Sequence, residues 1–358
     1  NVLHKTISFA SMRWIWKVSR FLLIIIIGLE IFLQFYNPFT SRIKIEKIIL
    51  PKNTAYEIEQ HETNVIDSII IHTKNSLGFR GAEPNKNKKK VICMGGSTTE
   101  CFYLSDGKDW PNLLAKKLEE KDTQYWLNNA GMDGHSTFGH LKMLKKYIVP
   151  LKPKYLIMMC GLNDLHIKEA NRFEERKLSW YKRIYHSLEI PSTIINIKRA
   201  RQAQKAGLNH QIIHDISLVE KLEISDSAIN LMIKEEKEKI KLYKSRLNEI
   251  VKICKENQIK LILVSQAVLF SNEYDLISDT YLGHLKTGDN NGKSLGMVMS
   301  MYNRATEEIA KKNNIKFVAL SKRLPKDSRF YYDGYHFSND GAEMVAEIMM
   351  DELKNTLK

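Results

Sequence analysis

The feature that most constrains the fold of this chain is the alternation of short apolar runs with longer amphipathic stretches. The apolar runs suit strands buried on both faces; they are Val91–Met94, Tyr125–Leu127, Tyr155–Cys160, Leu261–Ser265 and Phe317–Leu320. The amphipathic stretches are typical of helices; they are Trp110–Glu120, Phe138–Ile148, Ile233–Asn257, Met297–Asn313 and Ala342–Leu357. This alternation predicts an α/β fold, a three-layer α/β/α sandwich around a doubly wound parallel sheet of about five strands.

The predicted sandwich does not account for the whole chain. We expect residues 1–40 to be a membrane anchor, residues 41–88 a linker and lead-in, and residues 89–358 the α/β domain. This domain carries a basic, helix-prone insertion at about residues 166–232, with the aromatic residues Trp180, Tyr181 and Tyr185. The insertion is either a packed helical appendage with these aromatic rings in its core, or a lid or membrane-facing cap over a functional site.

The predicted anchor is the most apolar stretch in the chain, from Phe21 to Tyr36. Extended back to Trp14, it reaches the roughly 20 residues that a transmembrane helix needs. Glu30 is out of place there, because a carboxyl inside a membrane is costly. The alternatives are a cleaved signal peptide, although no small-residue cleavage site follows, and a buried helix of a soluble protein. Basic residues flank both ends, but Arg20 directly abuts the run, which favours a signal-anchor with the α/β domain on the periplasmic or outer face.

The net charge of +14 is spread along the chain. No zinc-finger, RNA-recognition or homeodomain pattern accompanies it. We therefore interpret the charge as a property of surface adhesion and solubility and expect no nucleic-acid partner. The four cysteines do not make a disulfide framework, and Cys93 and Cys160 lie in apolar runs that indicate buried side chains.

Polar residues suited to chemistry follow three of the predicted strands. After the first, two glycines allow a sharp turn that exposes the hydroxyl of Ser97, although a serine there is equally typical of a helix N-cap. After the second comes Gly131, whose backbone N–H is a candidate donor to a substrate oxygen. After the third comes Asn163, whose side-chain amide is a candidate donor to developing negative charge; turns explain both residues equally well.

A fourth signal, Asp333 three residues before His336, precedes the last predicted helix. That spacing suits a carboxylate that orients an imidazole, and also a metal pair or a surface turn. In a doubly wound sheet the loops after the strands meet at one edge, so these four signals should come together. Acyl transfer needs the groups found here: a nucleophile, a base with its orienting acid, and oxyanion donors.

At these residues the sequence resembles the SGNH (GDSL-type) hydrolase superfamily, in particular its membrane-anchored bacterial GDSL-like lipase/acylhydrolase members. Gly95-Gly96-Ser97-Thr98 is similar to the first motif of the family, with Gly96 where Asp is commonest. Gly131, Gly161-x-Asn163-Asp164 and Asp333-x-x-His336 are similar to later motifs. The resemblance covers about residues 76–165 and 257–357 and leaves out the anchor and the insertion.

The resemblance implies a flavodoxin-like SGNH fold and a serine hydrolase mechanism. Ser97 would attack an ester carbonyl, His336 would remove the proton of Ser97, and Asp333 would hold the imidazole. The N–H groups of Ser97 and Gly131 and the amide of Asn163 would bind the oxyanion. Asp164 is expected to tie loops together beneath Asn163, and no metal or organic cofactor is needed.

The main functional expectation is a carboxylic-ester hydrolase that removes O-acyl groups from an envelope carbohydrate or a lipid. An O-acyltransferase that modifies an exopolysaccharide would use the same triad, because the partition between water and sugar depends on the pocket. The alternative outside the enzymes is a non-catalytic binding module that is anchored to the membrane.

Overall fold

The computed structural model describes residues 9–36, 43–44, 47–165, 179–205, 210, 212–213 and 215–357. Its strands are β1 (Ile43–Lys44), β2 (Lys47–Ile48), β3 (Thr54–Glu59), β4 (Ile69–Lys74), β5 (Lys89–Met94), β6 (Tyr125–Asn129), β7 (Tyr155–Met159), β8 (Lys260–Val264), β9 (Tyr274–Asp275), β10 (Thr280–Tyr281), β11 (Lys286–Thr287), β12 (Asn290–Asn291) and β13 (Lys316–Val318). Its α-helices are α1 (Phe9–Phe35), α2 (Ser97–Glu100), α3 (Trp110–Glu119), α4 (Thr137–Met143), α5 (Trp180–Ser187), α6 (Glu189–Lys205), α7 (Asp226–Glu256), α8 (Gly292–Lys312), α9 (Leu320–Arg323) and α10 (Asn339–Leu353).

The chain divides into two compact units. The smaller comprises residues 1–49 and 177–203, and the larger comprises residues 50–176 and 204–358. The larger unit is built on a five-stranded parallel sheet in the order β13–β8–β7–β5–β6. Helix α3 packs against α10, and α7 packs against α4 and α8, so that helices flank the sheet. The predicted α/β/α architecture and its doubly wound parallel sheet are therefore confirmed.

The apolar runs become strands because the sheet is covered on both faces. In the central strand β7, Leu156, Ile157 and Met158 are fully buried. Strand β5 pairs with β6 on one side and with β7 on the other. The chain thus changes direction across the sheet at β5, and a crevice for ligands is expected beyond the carboxyl end of this strand.

The lead-in to the sheet is folded from residue 50 onward and belongs to the larger unit, whereas residues up to 49 belong to the smaller one. Strands β3 and β4 form an antiparallel hairpin, and Ile70 and Phe79 are buried. The fully buried Arg80 donates to the carbonyl oxygens of Glu100 and Cys101 at 2.9 and 2.6 Å. Because a buried guanidinium needs such acceptors, this segment is fastened to α2 and belongs to the larger unit.

The smaller unit contains α1 and the helices of the insertion. The stretch Arg13–Phe35 of α1 is long and apolar enough to cross a membrane, and none of it is buried; α1 is thus not the core helix of a soluble protein. Trp180, Tyr181 and Tyr185 are 75, 55 and 54% exposed. The interpretation that these rings fill the core of a packed appendage is therefore wrong, since no described layer covers them.

Candidate active site

Ser97 is the first residue of α2 and follows β5 through a tight turn made by Gly95 and Gly96. Gly95 is required by space, because a Cβ there would lie 2.1 Å from Oγ1 of Thr99 and 2.7 Å from the carbonyl oxygen of Met159. A Cβ on Gly96 would lie 2.5 Å from Nδ2 of Asn163. The turn therefore places Ser97 at the carboxyl edge of the sheet, beside the loop that follows β7.

Ser97, His336 and Asp333 are brought together at this edge. Oγ–H of Ser97 donates to Nε2 of His336 at 2.7 Å, and Nδ1–H of His336 donates to Oδ2 of Asp333 at 2.7 Å. The three residues are 5, 7 and 4% exposed. A hydroxyl, an imidazole and a carboxylate in this order are the elements of nucleophilic catalysis by serine.

The other oxygen of Asp333 is held by the backbone. Oδ1 accepts from the N–H groups of Tyr335 and His336, both at 2.7 Å. Burial on its own raises the pKa of the Asp333 carboxyl, but the charge and hydrogen bonds of His336 and the charge of His210 lower this pKa below its ordinary value. Asp333 is therefore a carboxylate at neutral pH and can balance an imidazolium at His336.

Asn163 lies next to the turn that carries Ser97. Its Nδ2 donates one hydrogen bond to the carbonyl of His135 at 3.1 Å. The amide has a second N–H, for which the described residues offer no acceptor. The neighbouring Asp164 accepts from the N–H and O–H of Thr137 and from Arg246. Asp164 thus ties loops together beneath Asn163, as expected.

Gly131 does not lie where the sequence pattern predicts an oxyanion donor, and this expectation is corrected. Its N–H donates to Oδ1 of Asn129 at 2.9 Å. A Cβ on Gly131 would lie 2.3 Å from the backbone nitrogen of Glu100. The residue is therefore a close-packing glycine at the far end of α2, and its amide is already engaged.

The next glycine of the same loop, Gly134, was missed by sequence reasoning. It has a φ of +72° and precedes His135, whose carbonyl bonds Asn163. Among the described residues its N–H has no acceptor. The second glycine after β6 was the available signal, but nothing in the sequence says which of the two approaches Ser97.

His210, from the insertion, is a second residue that sequence reasoning missed. Its ring stacks on that of His336, with centroids 4.1 Å apart, and its Nδ1 lies 2.7 Å from the hydroxyl of Tyr332. Its Nε2 lies 3.7 Å from Oδ1 of Asp133. Burial on its own lowers the pKa of His210, but the carboxylates of Asp133, Asp333 and Glu100 raise this pKa above the ordinary value.

His210, Asp333 and His336 also place three potential metal ligands within 4.8 Å of one another. The geometry does not suit an ion. An imidazole lone pair lies in the plane of its ring, so two rings stacked at 29° direct their lone pairs side by side and not toward one point. Both nitrogens of His336 are, moreover, engaged with Ser97 and Asp333.

The sequence was compared with known proteins. The model of the GDSL-like lipase/acylhydrolase family matches residues 93–344. No curated protein matches significantly. Many solved structures are similar, including the following three. An acetylxylan esterase from Geobacillus stearothermophilus is 16% identical and covers 75% of this chain and 96% of its own, with a TM-score of 0.44.

An alpha/beta hydrolase from the metagenome of Lake Arreo is 14% identical and covers 74% of this chain and 95% of its own, with a TM-score of 0.45. A GDSL-like lipase from Bacteroides thetaiotaomicron is 14% identical and covers 77% of this chain and 93% of its own, with a TM-score of 0.40. The family model itself spans well over half of the 358 residues, from β5 before Ser97 to α10 after His336. On this match, the protein is a member of the GDSL-like lipase/acylhydrolase family.

Proposed function

We propose that this protein is a carboxylic-ester hydrolase that cleaves O-acyl esters with Ser97 as nucleophile, His336 as base and Asp333 as the orienting acid. The observation that carries the proposal is the continuous hydrogen-bonded chain through these three residues, with both links at 2.7 Å. Serine alone is a weak nucleophile, and an adjacent oriented base activates it.

The reaction consists of two proton-balanced transfers. As Oγ of Ser97 bonds to the ester carbonyl carbon, its proton passes to Nε2 of His336, and the carbonyl oxygen becomes an oxyanion. The imidazolium then gives this proton to the leaving alcohol oxygen as the C–O bond breaks. A water molecule releases the acyl group by the same two steps, its proton passing first to His336 and then to Oγ.

The oxyanion would be bound by the N–H of Ser97, the amide of Asn163 and the N–H of Gly134, which replaces Gly131 in this role. Gly134 is supported by its N–H, for which the described residues offer no acceptor, and by the contact of the next residue with Asn163. Asn163 is supported by its position against Gly96. Each donor of this kind contributes about 10²- to 10³-fold in rate.

The proposed substrate is an acylated envelope carbohydrate or an ester lipid, reached from a membrane. The support is α1, an exposed apolar helix of transmembrane length, which we propose to be a signal-anchor with the esterase on the periplasmic or outer face. An O-acyltransferase with the same triad differs only in the acceptor of the acyl group, so product analysis decides between the two.

The test of the nucleophile is labelling with a fluorophosphonate probe. We expect the probe to label the wild-type protein and a Ser300→Ala control, whose serine is exposed on α8, and not Ser97→Ala. Undiminished labelling of Ser97→Ala would show that another residue reacts. In a second arm, p-nitrophenyl acetate is turned over with an oligosaccharide present. Free acetate is the expected product, and acetylated oligosaccharide with negligible free acetate would identify a transferase.

A further inference from the structure

Within the smaller unit, the insertion is held to α1 by the one acidic side chain of the apolar run. The carboxylate of Glu30 accepts from the backbone N–H groups of Glu189 and Ile190 at 2.6 and 3.0 Å. These two residues begin α6, and the first N–H groups of a helix have no acceptor within that helix. The carboxylate also faces the positive end of the helix dipole. The insertion therefore supplies hydrogen-bond donors to Glu30, the residue of the apolar run that is most costly to place in a membrane.

The contact bears on whether α1 is retained. A cleaved signal peptide is absent from the mature protein and leaves the N-terminus of α6 without this acceptor. Glu30 also lies five residues before the end of the candidate span at Phe35, which is about 7.5 Å along the helix axis. That depth agrees with the roughly 5–10 Å to which interfacial helices bury their apolar face.

The helices of the insertion expose large apolar and aromatic side chains. On α5, Trp180, Tyr181 and Ile184 are 75, 55 and 54% exposed, and on α6 Ile194 is 60% exposed. Trp and Tyr are enriched where a membrane meets water. Residues 180–205 also contain six Lys or Arg and one acidic residue, and that acidic residue, Glu189, begins the helix that Glu30 holds.

We propose that α5 and α6 form a membrane-surface element that lies in the interface of an anionic bilayer and is docked to α1 through Glu30. The inference rests on the proposal that α1 spans the membrane. A bilayer is favoured as the occupant because the exposed apolar side chains belong to the same compact unit as α1, none of whose candidate span is buried. The excess of basic residues complements anionic headgroups.

The test uses nitroxide labels on the full chain in vesicles of phosphatidylcholine and phosphatidylglycerol. The cysteines of the chain are all buried, so labels are placed at Tyr181→Cys and Ile194→Cys. Ile24→Cys reports on α1, and Leu276→Cys, 85% exposed in the larger unit, is the aqueous control. We expect positions 24, 181 and 194 to collide with oxygen more than with a water-soluble nickel complex, and position 276 to show the reverse.

The outcomes separate the two proposals. Labels 181 and 194 in water with label 24 in lipid would overturn this inference and leave the anchor intact. Label 24 in water would overturn both. Labels 181 and 194 shielded from oxygen and nickel alike would indicate a protein partner and overturn the membrane-surface element.

The docking contact is tested by amide exchange at Glu189 and Ile190. Glu30→Leu removes the acceptor, and exchange should become about tenfold faster or more, because hydrogen bonds to a charged group are the strong ones. Glu30→Gln keeps an acceptor oxygen, so its exchange rate should lie between those of wild type and Glu30→Leu. Ser19→Leu, an exposed position about three turns back along α1, is the control with wild-type exchange. Unchanged exchange in Glu30→Leu would overturn the docking.

Discussion

The imidazole ring of His210 lies flat against that of His336, with ring centroids 4.1 Å apart and planes inclined by 29°. His336 is the proposed base, and His210 belongs to the insertion. Two unit charges at this separation repel by about 4 kcal/mol at an effective dielectric constant of 20. A positive charge on one ring therefore opposes a positive charge on the other.

The charge of His210 predicts that His210→Phe moves the acid limb of the kcat/KM profile to higher pH, by about one pH unit. The raised pKa of His210 keeps this ring charged to a higher pH than an ordinary histidine, and its positive charge opposes a second charge on the adjacent ring of the proposed base. Phe at position 210 removes this opposition, so activity should be lost already at higher pH. The groups that face His210 are Asp133, Asp333, Glu100, Tyr103, Tyr332 and His336.

The profile should be measured with a soluble ester from pH 5 to 9, and His61→Phe, an exposed histidine in the larger unit, serves as its control. The control should keep the wild-type limb. An acid limb of His210→Phe that coincides with wild type, or lies at lower pH, contradicts the charge effect of His210.

Asp333→Asn should lower kcat by about 10⁴-fold while the protein stays folded. The variant keeps an oxygen for the N–H groups of Tyr335 and His336, but an amide that donates to Nδ1 would set the wrong tautomer of His336. Steady-state kinetics on p-nitrophenyl acetate with circular dichroism checks both parts. Activity within tenfold of wild type would exclude Asp333 as the orienting acid.

Lys74→Met should lower the free energy of unfolding by about 3–5 kcal/mol. Nζ of Lys74 lies 2.7 Å from Oε1 of Glu100, and their side chains are 2 and 4% exposed. Without the lysine the carboxylate of Glu100, which also accepts from the N–H of Asp133, is a buried charge that has lost its ion-pair partner. Urea denaturation measures the loss, and Lys74→Met with Glu100→Gln should recover part of it. A double variant no more stable than Lys74→Met would argue against the ion pair as the cause.

Gly131→Ala and Gly134→Ala should each lower the free energy of unfolding, but for different reasons. The Cβ at position 131 would meet the backbone of α2, so we expect a loss of stability of about 1–3 kcal/mol. At position 134 no atom lies within 4 Å of such a Cβ, and the cost is the positive φ, about 1 kcal/mol. Comparison of urea midpoints tests this, and a Gly131→Ala variant as stable as wild type would contradict the close packing.

The elements of the sandwich could be predicted because their pattern is local. The run Tyr155–Cys160 is apolar throughout, which is typical of a short strand covered on both faces, and β7 occupies Tyr155–Met159. The loop from Asp333 to His336 was predictable in the same way. Its carboxylate and imidazole are three residues apart, and the backbone of the same turn holds Asp333.

What the sequence did not contain is the partner of each side chain. The choice between Gly131 and Gly134 depended on which amide of one loop is taken by Asn129, and that is the amide of Gly131. The carboxylates of Glu100 and Glu30 are bound by Lys74 and by the start of α6, and neither pairing leaves a motif in the sequence.

The sequence by itself determined the layered fold, the apolar helix and the residue types of the site, because hydrophobic periodicity and short turn motifs act over a few residues. Only the tertiary structure decided that the insertion brings His210 to His336 and which buried charges are paired. These contacts join residues far apart in the chain, and they form only when the burial of the sheet brings those residues together.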